Sequence, residues 1–119
     1  MSMTQGTETI RALLDAFNAA WNAHDLDGAL ALCVPDVVFE TTGPAPDGRR
    51  CEGRDAVRDA WAEVFANPAS HFDTEELFVA GDRVVQRWCY DWGRGYIRGV
   101  DVIAVRDGLV AEKLSYVKG

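Results

Sequence analysis

Four apolar segments in the second half of the chain constrain the fold more than any other feature of the sequence. Each has the length and the content of β-branched and aromatic residues that are typical of a strand. They cover residues 71–80, 83–92, 96–106 and 109–118. The connections between them, typical of β-hairpins, are Gly81-Asp82, Gly93-Arg94-Gly95 and Asp107-Gly108. The sequence therefore predicts an antiparallel meander of four strands.

The first half of the chain predicts three helices and one more strand. Apolar side chains recur every three or four residues from Ile10 to Trp21, which indicates an amphipathic helix. A second short helix is expected to end at Pro35, a strand to cover residues 36–42, and a third helix to cover residues 54–66. This order predicts an α+β domain, in which three helices cover one face of a curved antiparallel sheet. Such a sheet can curl into a cone with a pocket inside it.

The segment between the first strand and the third helix is expected to be a loop. It reads GPAPDGRRCEG over residues 43–53, and its glycine and proline content is typical of irregular structure. Loops of this length over a compact domain are often lids. Residues 43–53 are therefore a candidate lid.

Asp101 lies at the centre of YIRGVDVIAV, the most apolar of the four strand segments. Strand alternation puts its side chain on the same face as Ile103 and Val105. A carboxylate among buried aliphatic residues is costly, so it is either paired, kept neutral or turned toward a wet cavity. A structural role, in which Asp101 bonds a loop or a basic residue, is the alternative to a functional one. Three basic residues lie near enough in the sequence to serve as partners: Arg87, Arg98 and Lys113.

Composition limits the classes of protein to which the chain can belong. Its 119 residues are expected to form one domain, residues 1–119, and 48% of them are hydrophobic. The formal net charge of −7 argues against binding to nucleic acid or anionic lipid. Three cysteines without metal-type spacing predict free thiols. Because the sequence shows neither a signal peptide nor a membrane-spanning segment, we expect a cytoplasmic protein.

Several motifs occur in an order that resembles a known family. They are HDLDG at 24–28, GRDAVRDAW at 53–61, GDRVV at 81–85 and GVDVIAVRDGLVAEKLSYVKG at 99–119. Together they resemble the SnoaL-like branch of the nuclear-transport-factor-2-like superfamily. The resemblance implies a cystatin-like α+β barrel with a conical cavity, in a homodimer that packs through the outer faces of the sheets. Relatives include polyketide cyclases, ketosteroid isomerases and noncatalytic binding modules, so the fold alone does not fix the chemistry.

The resemblance assigns a role to Asp101. In ketosteroid isomerases the equivalent strand carries an aspartic acid that stays protonated and donates a hydrogen bond to an oxyanion. Two partners of that acid, a tyrosine and a second aspartate, are replaced here by Phe17 and Thr41, so steroid isomerisation is not expected. Polyketide cyclases of this branch need only one strand carboxylate as general acid or base. On this basis Asp101 is the candidate catalytic group.

Ten further residues are candidates for a ligand-binding surface. The isomerase pattern places Arg87 and Asp91 inward, and it also places Lys113 and Ser115 beside Asp101. A slip of one residue would reverse either strand. Large aromatic residues more often pack in the core than form a surface for a ligand. For the aromatic candidates on helices, packing is the stronger interpretation. The full set is Phe17, Trp21, Phe39, Thr41, Trp61, Phe65, Arg87, Asp91, Lys113 and Ser115.

These observations lead to three functional hypotheses. The first is an enzyme without cofactor or metal that uses Asp101 in acid-base chemistry on an apolar, carbonyl-bearing small molecule. The second is a pocket that binds such a molecule without turnover. The third is a dimerising module with a vestigial pocket. A homodimer is expected because Val100, Val102 and Ala104 form an apolar strand face that the helices cannot cover.

Overall fold

A computed structural model of the protein describes residues 6–119. Within these residues the chain forms three helices and six strands. The helices are α1 (Thr7–Asn22), α2 (Leu26–Ala31) and α3 (Arg54–Phe65). The strands are β1 (Cys33–Glu40), β2 (Arg50–Glu52), β3 (His71–Ala80), β4 (Arg83–Asp91), β5 (Tyr96–Arg106) and β6 (Leu109–Val117).

The strands form one curved sheet in the order β2-β1-β6-β5-β4-β3, and the sheet does not close into a full barrel. Strands β3 to β6 pair antiparallel with their sequence neighbours, which confirms the predicted meander. Strand β1 joins this meander through a parallel pairing with β6. The α+β class with three helices is also confirmed.

The helices pack on the inner face of this sheet and form the core with it. The buried stripe of α1 consists of Ile10, Leu14, Phe17 and Trp21, at the spacings that the sequence predicts. Helix α3 buries Val57 and Trp61 against the same core. Among residues 6–119, no helix is long and apolar enough to cross a membrane.

The boundary between α2 and β1 differs from the prediction. Helix α2 ends at Ala31, and Cys33 already belongs to β1, so the helix does not continue to Pro35. The backbone N–H of Val110 donates to the carbonyl oxygen of Leu32 at 2.8 Å, which draws this segment into the sheet beside β6. Proline has no N–H to donate, and the pairing of β1 with β6 is irregular across it, between Cys33 and Val38.

The predicted loop at 43–53 contains a short strand that the sequence did not reveal. Residues 50–52 form β2, which pairs antiparallel with β1. The rest of the loop is tied to Thr41, whose hydroxyl donates to the carbonyl oxygen of Gly43 at 2.6 Å and accepts from the backbone N–H of Arg49 at 2.8 Å. Gly48 has a φ of +71°, and a Cβ there would meet the Thr41 carbonyl oxygen at 2.0 Å. Thr41 thus anchors the loop at one edge of the cone.

Candidate functional site

The two faces of β4 are reversed relative to the prediction. Val84, Gln86 and Trp88 are buried against the core, whereas Arg87 and Asp91 are exposed. The expectation that Arg87 and Asp91 point inward is therefore wrong. The inner face carries the valine and the tryptophan because these side chains release more apolar surface from water than arginine and aspartate would.

Arg87 and Asp91 take part in surface interactions on the outer side. The Arg87 guanidinium pairs with the Glu76 carboxylate at 2.9 Å, on the neighbouring strand. The Asp91 carboxylate accepts from the backbone N–H of Gly93 at 2.7 Å and so closes the turn after β4. Neither side chain can line a pocket inside the cone.

Asp101 is buried on the inner face of β5, with 2% of its surface exposed, and it accepts hydrogen bonds from three side chains. The Ser115 hydroxyl donates to Oδ1 at 2.7 Å, and the Lys113 ammonium lies 3.4 Å from the same oxygen. The Gln86 amide donates to Oδ2 at 3.0 Å. Of the options that the sequence left open, the structure therefore shows the paired carboxylate. A protonated Asp101 that donates a hydrogen bond to an oxyanion, as in ketosteroid isomerases, does not fit a carboxyl group that accepts from three donors.

The amide of Gln86 is itself fixed from α1. Asn18 Nδ2 donates to Gln86 Oε1 at 2.8 Å, which leaves the NH₂ group of Gln86 turned toward Asp101. Asn18 therefore orients the Gln86 amide that donates to Asp101, and this restricts the Asp101 carboxylate to one position.

Lys113 is also buried, with 6% of its surface exposed, on the inner face of β6. Its Nζ lies 3.0 Å from Ser115 Oγ and stands over two aromatic rings, 4.8 Å from the centroid of Trp21 and 5.0 Å from that of Phe39. An ammonium ion loses much hydration on burial, and the carboxylate and the ring faces replace part of it. The inward orientation expected for Lys113 and Ser115 agrees with the structure.

A cavity of about 480 Å³ opens inside the cone, between the sheet, α3 and the loop anchored by Thr41. We call it the ligand cavity, because its volume lies within the ~300–1,000 Å³ range of small-molecule sites. Its walls are mostly apolar and include Phe72, Trp88, Tyr90 and Ile97. At its floor are Lys113 and Ser115, which are buried polar side chains, and Arg49 and Glu63 also line it.

Asp101 does not line the ligand cavity. Ser115 and Lys113 stand between the cavity and the carboxylate, each in contact with Asp101 Oδ1. Among the described residues, these two side chains connect the cavity to the carboxylate by hydrogen bonds.

The remaining candidate residues divide between the cavity and the core. Phe39 and Thr41 line the ligand cavity. Phe17 and Trp61 are fully buried and pack edge to face with each other at 5.7 Å, so they belong to the core. Trp21 lies beneath Lys113, and Phe65 packs against Trp21 at 4.8 Å. The packing interpretation of the helix aromatics is thus the better one for these residues.

Sequence reasoning did not select several residues that shape the site. Asn18 and Gln86 orient Asp101, and Trp88, Tyr90 and Phe72 form the aromatic wall. A usable signal was present, because the face of β4 that carries Val84, Trp88 and Tyr90 is more apolar than the face that carries Arg87 and Asp91.

The phenol of Tyr90 adds a polar group to the aromatic wall. Burial raises the pKa of Tyr90, and the Ser70 side chain offsets this only in part. The ordinary pKa of tyrosine is ~10, so the phenol stays protonated near neutral pH and keeps its hydrogen-bond donor.

No metal site is evident in the part of the chain that the structure describes. No three His, Cys, Asp or Glu side chains come together there in an arrangement that could hold an ion. His24 contacts the Ser70 carbonyl oxygen at 2.8 Å and stacks on Phe65, and so it links two loops.

Solved structures similar to this chain share its fold over nearly its whole length. An NTF2-like protein of unknown function from Mesorhizobium loti is 37% identical, with a TM-score of 0.88 over 99% of this chain and 98% of its own. A putative ketosteroid isomerase from Kribbella flavida is 22% identical, with a TM-score of 0.84 over 99% and 83% of the two chains. A computationally designed 17-OHP binder is 27% identical, with a TM-score of 0.78 over 92% and 91%.

Sequence comparison points to the same group of proteins. No curated protein matches the chain. The family model of the SnoaL-like domain matches residues 14–113, a range that contains α2, α3, the strands β1 to β5 and the first part of β6, with Asp101 and Lys113. The protein therefore belongs to the SnoaL-like domain family.

Proposed function

We propose that the protein is an acid-base enzyme, isomerase-like or cyclase-like, that acts on an apolar small molecule with a carbonyl group. The observation that supports this most is the chain of contacts from Lys113 and Ser115 to Asp101 at the floor of an otherwise apolar cavity. A polar group that is buried at such a floor can orient one oxygen of a ligand while the walls take up its hydrocarbon.

Lys113 is the group that would contact the carbonyl oxygen. An ammonium has three donors, and its contacts with Asp101 and Ser115 use two of them. The third can donate to a carbonyl oxygen and stabilise the negative charge that develops there when a neighbouring C–H bond breaks. In a site with little water, such a donor contributes about 10²- to 10³-fold to the rate.

Ser115 would carry the proton between ligand and carboxylate. As the C–H bond beside the carbonyl breaks, its electron pair forms a C=C bond and the carbonyl π pair moves onto the oxygen. The proton passes to Ser115 Oγ while the serine gives its own proton to Asp101 Oδ1. With a β,γ-unsaturated ketone the product is a conjugated dienolate, and the reverse transfer can return a proton to its γ-carbon, which gives the conjugated isomer. Asp101 then remains the proton-transfer group expected from the sequence, acting at 2.7 Å through Ser115. No electrons are exchanged with a cofactor in this scheme.

A second function, binding without turnover, has its own support. Asp101 is held by three donors and does not line the ligand cavity, so a ligand there does not contact its carboxylate directly. One structurally similar protein is a computationally designed binder of 17-OHP. In this alternative, Lys113 would only fix the orientation of the ligand.

One experiment separates the two functions. The protein is incubated in D₂O with a panel of apolar cyclic β,γ-unsaturated ketones, and deuterium at the carbons beside the carbonyl is followed by NMR. We expect exchange above the rate in buffer, with a loss of about 10²-fold or more in Lys113→Met and Ser115→Ala. Lys118→Met is the matched control, because Lys118 is the other lysine of the chain and is exposed.

The outcomes differ clearly. Binding detected by quenching of tryptophan fluorescence, without any deuterium uptake, would favour the noncatalytic pocket. Neither binding nor exchange across the panel would contradict the proposed ligand class.

We also propose a homodimer that forms through the outer face of the sheet. Tyr116 has 52% and Phe78 48% of their surfaces exposed there, and Val100 and Val102 are half-buried. Ala104, which the sequence analysis placed on this face, is 8% exposed and belongs to the core.

The three free thiols fit a reducing compartment such as the cytoplasm.

A further inference from the structure

We infer that Asp101 exchanges protons with bulk solvent through a water-holding cavity on the side away from the ligand cavity. This second space, which we call the rear cavity, has a volume of about 20 Å³ and is lined by Asp101 together with Asn18, Thr74 and Gln86. The use we assign to it rests on the proposed function, whereas the water site itself does not.

The rear cavity has the size and the polarity that a bound water requires. A water needs roughly 10–15 Å³ of space for its centre and two to four polar partners. Asp101 Oδ2 accepts only from Gln86 among the described residues, so it retains a lone pair for another donor. Oδ1, in contrast, already receives both Ser115 and Lys113.

Two tryptophans that line the rear cavity have buried indole N–H groups in need of an acceptor. Trp21 and Trp88 line the rear cavity, with 6% and 5% of their surfaces exposed, and neither indole N–H has an acceptor among residues 6–119. Buried donors nearly always have a partner, which is often an ordered water. A water in the rear cavity can accept from an indole and donate to Asp101 Oδ2.

The rear cavity lies between the ligand cavity and the surface. Phe72, Trp88 and Lys113 line both the ligand cavity and the rear cavity and so form the wall between them. Ser115 lines only the ligand cavity, whereas Asp101 lines only the rear one. The 2.7 Å hydrogen bond between Ser115 and Asp101 therefore crosses this wall.

On its other side, the rear cavity adjoins a surface groove. Asn18 and Thr74 line both spaces, and Thr74 is exposed. The groove also carries Arg11 and three carboxylates, those of Asp15, Glu75 and Glu76. Glu75 and Glu76 are paired with Arg87 and Arg98, so the groove is polar and close to neutral in charge. Asn18 and Thr74 thus mark the place where water can reach Asp101 from the solvent.

This arrangement gives Asp101 two separate proton routes. A proton that arrives from the ligand through Ser115 makes Asp101 neutral. That proton can exchange with a proton of the rear water, while another passes between the far end of the path and bulk solvent, so Asp101 stays neutral. The carboxylate forms again when Asp101 returns a proton to the ligand through Ser115. Charge and protons balance, and no oxidant is needed. A ligand that fills the large cavity would not block this exchange.

The indole protons of the ligand-free protein test the path directly. Trp61 is the internal control, since its buried indole N–H also has no acceptor among residues 6–119, but Trp61 lines neither cavity. In ¹⁵N-labelled protein we expect at least one of Trp21 and Trp88 to show cross-peaks to water and exchange at least ~10-fold faster than Trp61. If both are as protected as Trp61 and show no water cross-peak, the inference is overturned.

A variant checks the entrance. Thr74→Leu should slow the exchange of the faster indole, because the larger apolar side chain closes the junction between the groove and the rear cavity. Asp73→Leu, one residue away on the opposite face of β3, should leave it unchanged. Equal effects of the two variants would contradict an entrance at Thr74. Since no ligand is present, these results stand apart from the deuterium uptake that tests the proposed function.

Discussion

The two faces of β5 and β6 differ in where their polar and apolar side chains lie, although the inner face also carries core residues such as Ile103 and Val110. The inner face, which the helices cover, carries Asp101, Lys113 and Ser115 in contact with one another. The outer face carries Val100, Val102, Leu114 and Tyr116, all of which are half-buried or exposed. Two opposite charges thus lie in the interior, where burial is costly, and several apolar groups of the outer face stay partly or fully exposed in the single chain.

This contrast shows that stability alone does not explain the inner face. A buried ion pair is often no more stable than well-packed apolar side chains of the same size, because desolvation offsets the attraction. The outer face, in turn, gains its stabilisation only if another surface covers it. The contrast therefore supports the proposed chemistry at the inner face and the proposed association through the outer face.

The largest expected effect comes from breaking the inner pair on one side only. Lys113→Met leaves the Asp101 carboxylate buried beside an apolar side chain, which should reduce the free energy of unfolding by about 3–5 kcal/mol. Urea denaturation at pH 7 measures this change. Lys118→Met, on the exposed end of the chain, should change the same quantity by less than about 0.5 kcal/mol. A loss below 1 kcal/mol in Lys113→Met would show that Asp101 does not depend on the ammonium.

A second effect concerns the close approach of β5 to its neighbours. A Cβ at Gly99 would meet the Tyr116 carbonyl oxygen at 2.3 Å and the Trp88 ring at 2.4 Å. Gly99→Ala should therefore cost about 1–3 kcal/mol in the free energy of unfolding, as overpacked sites do. Val102→Ala, on the outer face of the same strand, provides the comparison. A loss as large in Val102→Ala would mean that the two faces are equally constrained.

A third effect appears at alkaline pH. Burial raises the pKa of Cys33 from 9.0 to about 12, while Arg54 and Lys113 lower it in part. The folded state therefore keeps the thiol proton when the unfolded state has lost it, and stability should fall as the pH rises from about 9 toward 12. Cys33→Ala should flatten this decrease in urea titrations. The pKa of Tyr90 is raised as well, so part of the dependence of stability on pH remains in this variant. An unchanged slope in Cys33→Ala would contradict the assignment.

The smallest effect on the stability of the single chain is expected on the outer face. Tyr116→Ser removes an exposed aromatic ring, and we expect a change within about 0.5 kcal/mol in the unfolding of the isolated chain. Its effect on assembly should be larger. Sedimentation at micromolar concentration should show a dimer for the wild type and a shift toward monomer for Tyr116→Ser. A monomeric wild type would remove the proposed role of this face.

The sequence predicts the fold well because its signals are local. Turns such as Gly81-Asp82 and the apolar stripe of α1 each define an element without knowledge of its neighbours. The strand β2 escaped prediction because three residues carry too little periodicity. The end of α2 was misplaced because pairing of Leu32 and Cys33 with β6 overrides the local helical pattern.

The site was harder to predict because it depends on which face of each strand turns inward. On β6 the resemblance gave the correct face, and Lys113 and Ser115 are buried. On β4 the alternation left both faces possible, and one residue of register exchanged Arg87 for Gln86. The partner of Asp101 was among the three basic residues considered, and Lys113 is the one that the sheet brings into contact.

The most direct test of the central claim replaces both members of the inner pair. In the double variant Asp101→Leu/Lys113→Met, apolar side chains fill the positions of the two charges. We expect its free energy of unfolding to lie within about 1 kcal/mol of the wild type or above it, with most of the loss in Lys113→Met recovered. We also expect it to lose deuterium uptake by the ketone panel. A double variant as unstable as Lys113→Met, or a stable one that still exchanges the ligand's protons, would contradict the claim that chemistry rather than stability retains this pair.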